Sequence, residues 1–148
     1  MIYSKRIMSL DMGDVRIGIA VSDPLRITAQ GIESYTRKPD INDDFDHLIS
    51  LIENYQVELI VCGLPKNMND TLGPMAEKVM AFADELQKRS GVRIVFEDER
   101  LTTVFAEKIL IDADLRRNKR RQVIDKMAAV AILQGFIDRK GWETINEQ

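Results

Sequence analysis

Cysteine and histidine are almost missing from this chain: Cys62 is the one thiol and His47 the one imidazole in 148 residues. No internal disulfide can form, which fits a reducing compartment and leads to the expectation of a cytoplasmic protein. Zinc sites built from Cys and His ligands are excluded. A Ser-His-Asp triad would have to use His47, and no nucleophile-elbow motif supports one. Cys62 follows Leu59-Ile60-Val61 and reads as a buried strand residue. Aromatics make up only 6% of the chain, with none between Phe105 and Phe136, so stacking platforms for unpaired bases are not evident. The longest uninterrupted apolar run, Met127 to Leu133, falls far short of the ~20 residues a membrane span needs. No membrane partner is expected. The first apolar stretch ends at Leu10 without a basic leader, so no signal peptide is expected either.

What remains for chemistry is carboxylates, and there are 24 of them. The net charge of −3 hides an asymmetry. Residues 116–126 hold six cations and one anion, so that segment alone carries +5 and the remainder −8. An acidic protein with one concentrated basic segment suits local contact with a polyanion, although a solvated charge run would read the same way.

Apolar content of 45% and charged content of 30% are those of a globular chain. Without a linker, repeat or low-complexity stretch, residues 1–148 are expected to form a single domain. That length buries roughly 68–70% of the unfolded surface. Residues 7–12 and 17–22 read as a hairpin-like pair of strands, with a weaker third strand between Thr28 and Tyr35. From Asn42, a plausible N-cap, Phe45, Leu48, Ile49, Ile52 and Tyr55 mark one face of a helix. Val57–Cys62 reads as a buried strand ending at Gly63, and residues 64–73 as a polar loop. Pro74 opens a helix through Leu86, Gly91 ends it, and Val92–Phe96 is another strand. A helix from Thr102 or Thr103 to about Ile111 and a last, nearly all-apolar helix from Val123 to Ile137 complete the chain. The order predicts an α/β fold: three antiparallel strands, then α-β-α-β-α, making a mixed five-stranded sheet with helices on both faces.

Three acidic positions break the local pattern. Asp11 ends a hydrophobic strand, Glu97-Asp98-Glu99 ends another, and Asp125 begins the most apolar helix. A carboxylate in apolar surroundings costs free energy unless a cation neutralises it. With strands one, four and five parallel, Asp11 and the Glu97–Glu99 segment would share one sheet edge, and the start of the last helix could bring Asp125 there. Converging carboxylates suit a pair of Mg²⁺ or Mn²⁺ ions, which favour oxygen ligands and serve phosphodiester hydrolysis. The alternative is separate caps and surface ion pairs, with Lys126 or Arg100 as partners.

Four blocks carry a family likeness. They are Leu10–Asp23 (LDMGDVRIGIAVSD), Gly63–Met68 (GLPKNM), Asp98–Thr103 (DERLTT), and Ile124–Ala129 (IDKMAA) followed by Ile132-Leu133-Gln134. In this order, from residue 10 to about 137, they resemble the YqgF/RuvX family of nucleases. The resemblance implies an RNase H-like fold related to Holliday-junction resolvases, and a role in maturing the 5′ end of precursor 16S rRNA. It implies catalytic positions at Asp11, the Asp98-Glu99 pair and Asp125, with Asp11, Glu99 and Asp125 as metal ligands. Glu99 is favoured slightly over Asp98; alternation along an extended segment turns the two in opposite directions, and the sequence leaves the register open.

Arg116, Arg117, Lys119, Arg120, Arg121 and Lys126, with Lys66 from the second block, are the expected nucleic-acid contacts, acting on the phosphate backbone rather than on sequence. The leading expectation is a metal-dependent endonuclease on structured precursor rRNA, with ribosomal particles as possible partners. The alternatives are a resolvase of branched DNA and an RNA-binding assembly factor that never cuts. The turn at Gly13 beside Asp11 also looks like the phosphate loop of actin-like ATPases, but those enzymes close two lobes on a nucleotide and this chain has room for one.

Overall fold

The structure, a computed structural model, describes residues 5–65, 69, 71–98 and 117–146, and of the last stretch the side chains from 123 to 139. Five strands are present: β1 (Arg6–Met12), β2 (Arg16–Ser22), β3 (Ala29–Thr36), β4 (Val57–Leu64) and β5 (Arg93–Asp98). The described helices are α1 (Ile41–Tyr55), α2 (Pro74–Ser90) and α3 (Arg117–Asn146). The sheet order is β3-β2-β1-β4-β5. β2 runs antiparallel to both of its neighbours, β1 and β3, whereas β1, β4 and β5 are parallel. This is the mixed α/β sheet that the element order predicts.

Alternation along β1 sorts its side chains onto two faces. Met8, Leu10 and Met12 join Ile17, Ile19 and Val21 of β2 in a core with Phe45, Leu48 and Ile52 of α1 and Val79, Phe82 and Leu86 of α2. Ile7 lies on the other face, in a smaller cluster with Ala20, Leu59 and Val61 under Ala129, Ile132, Leu133 and Phe136 of α3. Burying an Ile, Leu or Phe completely contributes roughly 1.5–3 kcal/mol, so Ile132, Leu133, Phe136 and Ile137 anchor the helix. Its buried positions fall in pairs one turn apart: 128/129, 132/133 and 136/137. The residues between are half-exposed, so α3 covers one face and is not buried all round.

Several boundaries differ from the sequence reading. Asp40, not Asn42, caps α1: its side chain accepts from Asn42 N at 2.9 Å while its own backbone stays extended. Asp44, an acid of the first turn, is drawn into the core. It is 1% exposed and accepts bonds from Tyr35 Oη, Arg37 Nε and Lys38 N. β4 continues through Leu64, since pairing with β5 carries the ladder past the apolar run. α3 begins at Arg117 rather than Val123 and ends at Asn146 rather than Ile137. Backbone hydrogen bonding continues a helix into polar turns that apolar periodicity does not mark. The helix expected over residues 102–111 lies outside the described residues. Among the described residues no helix is long and apolar enough to cross a membrane.

Candidate active site

Two of the expected carboxylates belong to residues that stand on one face of the sheet, where α3 crosses it. Asp11 pairs with Gly18 across β1 and β2, and directly opposed residues of antiparallel strands project to the same face. On that face, a Cβ built on Gly18 would lie 1.9 Å from the Asp125 carbonyl oxygen. Only glycine lets the helix backbone come so close. Gly18 thus sets the Asp125 backbone over β2, on the face where its cross-strand partner Asp11 stands. Gly31 repeats the device one strand over, where the Lys126 stem lies 2.6 Å from the corresponding point. Ser9 Oγ donates to Ala129 O one helical turn further on, so the same face of β1 carries Ile7, Ser9 and Asp11.

Asp125 has fixed partners. Arg16 Nε donates to its Oδ2 at 2.6 Å and Ser34 Oγ donates to the same oxygen at 3.3 Å. Its Oδ1 accepts no hydrogen bond among the described residues. Lys126, the partner considered from sequence, instead lays its stem across β3. Neither Arg16 nor Ser34 is apparent as a site residue from sequence pattern. The available signal was Gly18 and Ala20 following Arg16 at alternate positions: small residues on one face of a strand announce a close neighbour.

Asp98 ends β5 opposite Leu64. Leu64 belongs to the α1/α2 core, so alternation turns Asp98 away from Asp11 and Asp125. Glu97 lies on the α3 face and pairs with Arg139 at 2.8 Å. Glu99, Arg116 and Lys66 lie outside the described residues. Arg117, Lys119, Arg120 and Arg121 form the first turns of α3 rather than a segment preceding it. Arg121 stands one turn and Arg117 two turns before Asp125, roughly 6 and 12 Å along the axis. Among the described residues no three Asp, Glu, His or Cys side chains are grouped to hold a metal.

Elsewhere the polar groups are structural. Burial pushes the Cys62 thiol up to about 12, which leaves it a protonated, inert strand residue. His47 stacks on Tyr35 with centroids 4.2 Å apart and contacts Glu33. A groove of about 970 Å³ opens on the opposite face, between the β1–β2 turn and helices α1 and α2. Neither Asp11 nor Asp125 lines it.

A family pattern described as RuvX, Holliday junction resolvase, matches residues 5–139. The chain is 52% identical over 134 residues to a Clostridium kluyveri protein named "Putative pre-16S rRNA nuclease", covering 90% of this chain and 97% of that one. A Heliobacterium modesticaldum protein of the same name is 50% identical over 143 residues, covering 97% and 95%. In fold, the chain is similar to T. thermophilus RuvC in complex with Holliday junction substrate, with a TM-score of 0.59 and 13% identity over 93% of this chain and 96% of that one. The yeast mitochondrial Holliday junction resolvase gives a TM-score of 0.54 and 11% identity, over 98% and 83%. Both are resolvases of the RNase H-like fold.

Proposed function

The chain belongs to the RuvX family of nucleases, hydrolases of phosphodiester bonds, and from that premise we propose that it processes the 5′ end of precursor 16S rRNA with carboxylate-held divalent ions. One observation carries the site: Gly18 admits the backbone of Asp125 directly over β2, next to Asp11 on β1. The donor set fits a hard cation, because both carboxylates offer oxygen and Asp125 is gripped through Oδ2 alone among the described residues. Asp11 and Asp125 would hold Mg²⁺ or Mn²⁺, with Glu99 as the third ligand. The described residues before it weigh against Asp98, since Glu97 is on the α3 face and Asp98 is turned from it. Bound there, such ions activate a water and stabilise the leaving oxygen.

The chain's own residues do the rest. Arg16 and Ser34 fix the rotamer of Asp125. The cations at 117, 119, 120 and 121 lie along the helix that delivers Asp125, where a phosphate backbone approaching the carboxylates passes, and Lys126 and Lys66 would add to that contact. Backbone contacts of this kind suit a folded rRNA read by shape. They also make an assembly factor that binds without cutting the weaker reading, since acids facing a polyanion serve no mere binder.

Purified protein incubated with precursor 16S rRNA and with a synthetic four-way junction, with and without Mg²⁺, tests the proposal. Metal-dependent cleavage near the mature 5′ end is expected. The family description favours one second reading, resolution of branched DNA. Paired symmetrical cuts in the junction by a protein of dimeric solution mass, with the rRNA left intact, would establish that reading instead.

A further inference from the structure

Arg16 is the first residue of β2, and its backbone is held on two sides. Its carbonyl accepts from Gly13 N at 2.8 Å, and the residue pairs with Thr36 of β3. Alternation with Gly18 puts its side chain on the face of Asp11 and Asp125. The Nε–Oδ2 contact of 2.6 Å is a short, charge-assisted bond between side chains about one-quarter exposed, 25% for Arg16 and 23% for Asp125. A guanidinium has five N–H donors in a rigid plane. One is spent on Asp125, and among the described residues Nη1 and Nη2 make no hydrogen bond. Among the described residues four donors therefore remain, on the face that carries Asp11 and Asp125. Planar guanidinium forks match phosphate oxygens two at a time, which an ammonium cannot do.

We propose that Arg16 ties the metal ligand to the substrate, its Nε orienting Asp125 while its Nη groups hold a phosphate of the bound strand. This rests on the reading of Asp125 as a metal ligand and adds a substrate contact outside the basic segment. One rigid group then sets the distance between ligand and phosphate. In the unliganded protein the same guanidinium neutralises Asp125, so the turn of α3 that carries it stays docked over Gly18 before any ion or strand arrives.

The test measures binding and turnover separately. Binding of a labelled RNA hairpin with an unpaired 5′ tail is followed in EDTA, where no cleavage occurs, across a salt series. Arg16→Ala is expected to weaken binding several-fold and to lower the slope of log affinity on log salt by about one unit. Arg16→Lys is expected to restore that slope but to leave kcat depressed at least tenfold in Mn²⁺, because one ammonium cannot serve both partners. Arg16→Gln replaces the alanine variant if melting curves show that protein unfolded. Unchanged affinity and slope in the neutral variant would reduce Arg16 to a counter-ion of Asp125 and overturn the proposal. Full kcat in Arg16→Lys would overturn it too. Asp125→Asn, assayed in parallel, separates the two ideas: normal cleavage by that variant removes the metal site, whereas the EDTA binding result bears on Arg16 alone.

Discussion

On the α1/α2 side of β1 stand Met8, Leu10 and Met12; on the α3 side, one residue out of step, stand Ile7, Ser9 and Asp11. The opposing strand repeats the contrast, with Ile17, Ile19 and Val21 on the first side and Gly18 and Ala20 on the second. The first face is filled with large side chains that hold two helices at ordinary packing distance. The second is stripped of bulk so that one helix backbone can lie almost on the strand, and the room gained is given to polar groups. A large apolar core on one face thus supports a site on the other that contributes little burial of its own. The same division explains why the groove beside α1 and α2 is not the site: its floor is the outer margin of the core.

Removing a carboxylate from the α3 face should have the largest effect. Asp125→Asn or Asp11→Asn is expected to lower cleavage in Mg²⁺ by more than about 100-fold, beyond the range seen when only supporting groups are lost. Full activity in either variant at saturating substrate would refute the site. Like-charge repulsion alone would make the apo Asp125→Asn protein melt higher, but Asp125 is paired with Arg16. Its melting temperature should therefore fall slightly, by less than about 1 kcal/mol of stability.

A matched pair of core substitutions sharpens the contrast between faces. Gly18→Ala drives a methyl into the Asp125 carbonyl and should cost about 3 kcal/mol in urea unfolding. Leu10→Ala leaves a cavity on the other face and should cost about the same. The two must then part company: the Leu10 variant keeps near-normal activity per folded molecule, while the Gly18 variant loses it because Asp125 is displaced. Equal activity losses would mean that the faces are not functionally distinct.

The basic segment of residues 116–121 should affect binding but not folding. Replacing Arg116, Arg117, Arg120 and Arg121 with Ser is expected to weaken RNA binding about equally across sequences. The salt slope should flatten by up to about one unit for each phosphate that the protein no longer neutralises. Unaltered slope and affinity would mark that segment as a solvated face.

The smallest expected effect concerns acid stability on the core side. Burial pushes the Asp44 carboxyl up, but bonds from Lys38 N, Arg37 and Tyr35 outweigh it and hold the group below the usual carboxylate value. A folded pKa below the unfolded one, about 3.9, stabilises the protein above that pH, and the gain is lost as pH falls through the lowered value. Asp44→Asn should therefore flatten the acid limb of stability measured by urea unfolding between about pH 5 and 2. Burial and the Asp44 hydrogen bond also raise the Tyr35 hydroxyl to about 12, so it remains a donor throughout that range.

The chain by itself determined the kinds of elements, their order and the suspect residues. Period-two and period-3.6 patterns are local, and an acid such as Asp11 or Asp125 stands out against apolar neighbours without any knowledge of the fold. The short motifs were enough to identify the family. Helix starts were less legible: Asp40 and Asn42 are both good caps, and the polar first turns of α3 leave no apolar stripe to read. What only the tertiary structure decided was which surfaces meet. The Arg16–Asp125 pair joins residues 109 positions apart, and Ser34 and Gly18 reach Asp125 across similar gaps. No periodicity within an element can encode such meetings, because they depend on strand register and on how closely a helix can approach. A one-residue shift of register between β1 and β2 would point Asp11 into the core. Ladder pairing keeps it on the α3 face, and the missing side chain at Gly18 lets the Asp125 backbone lie over that same face.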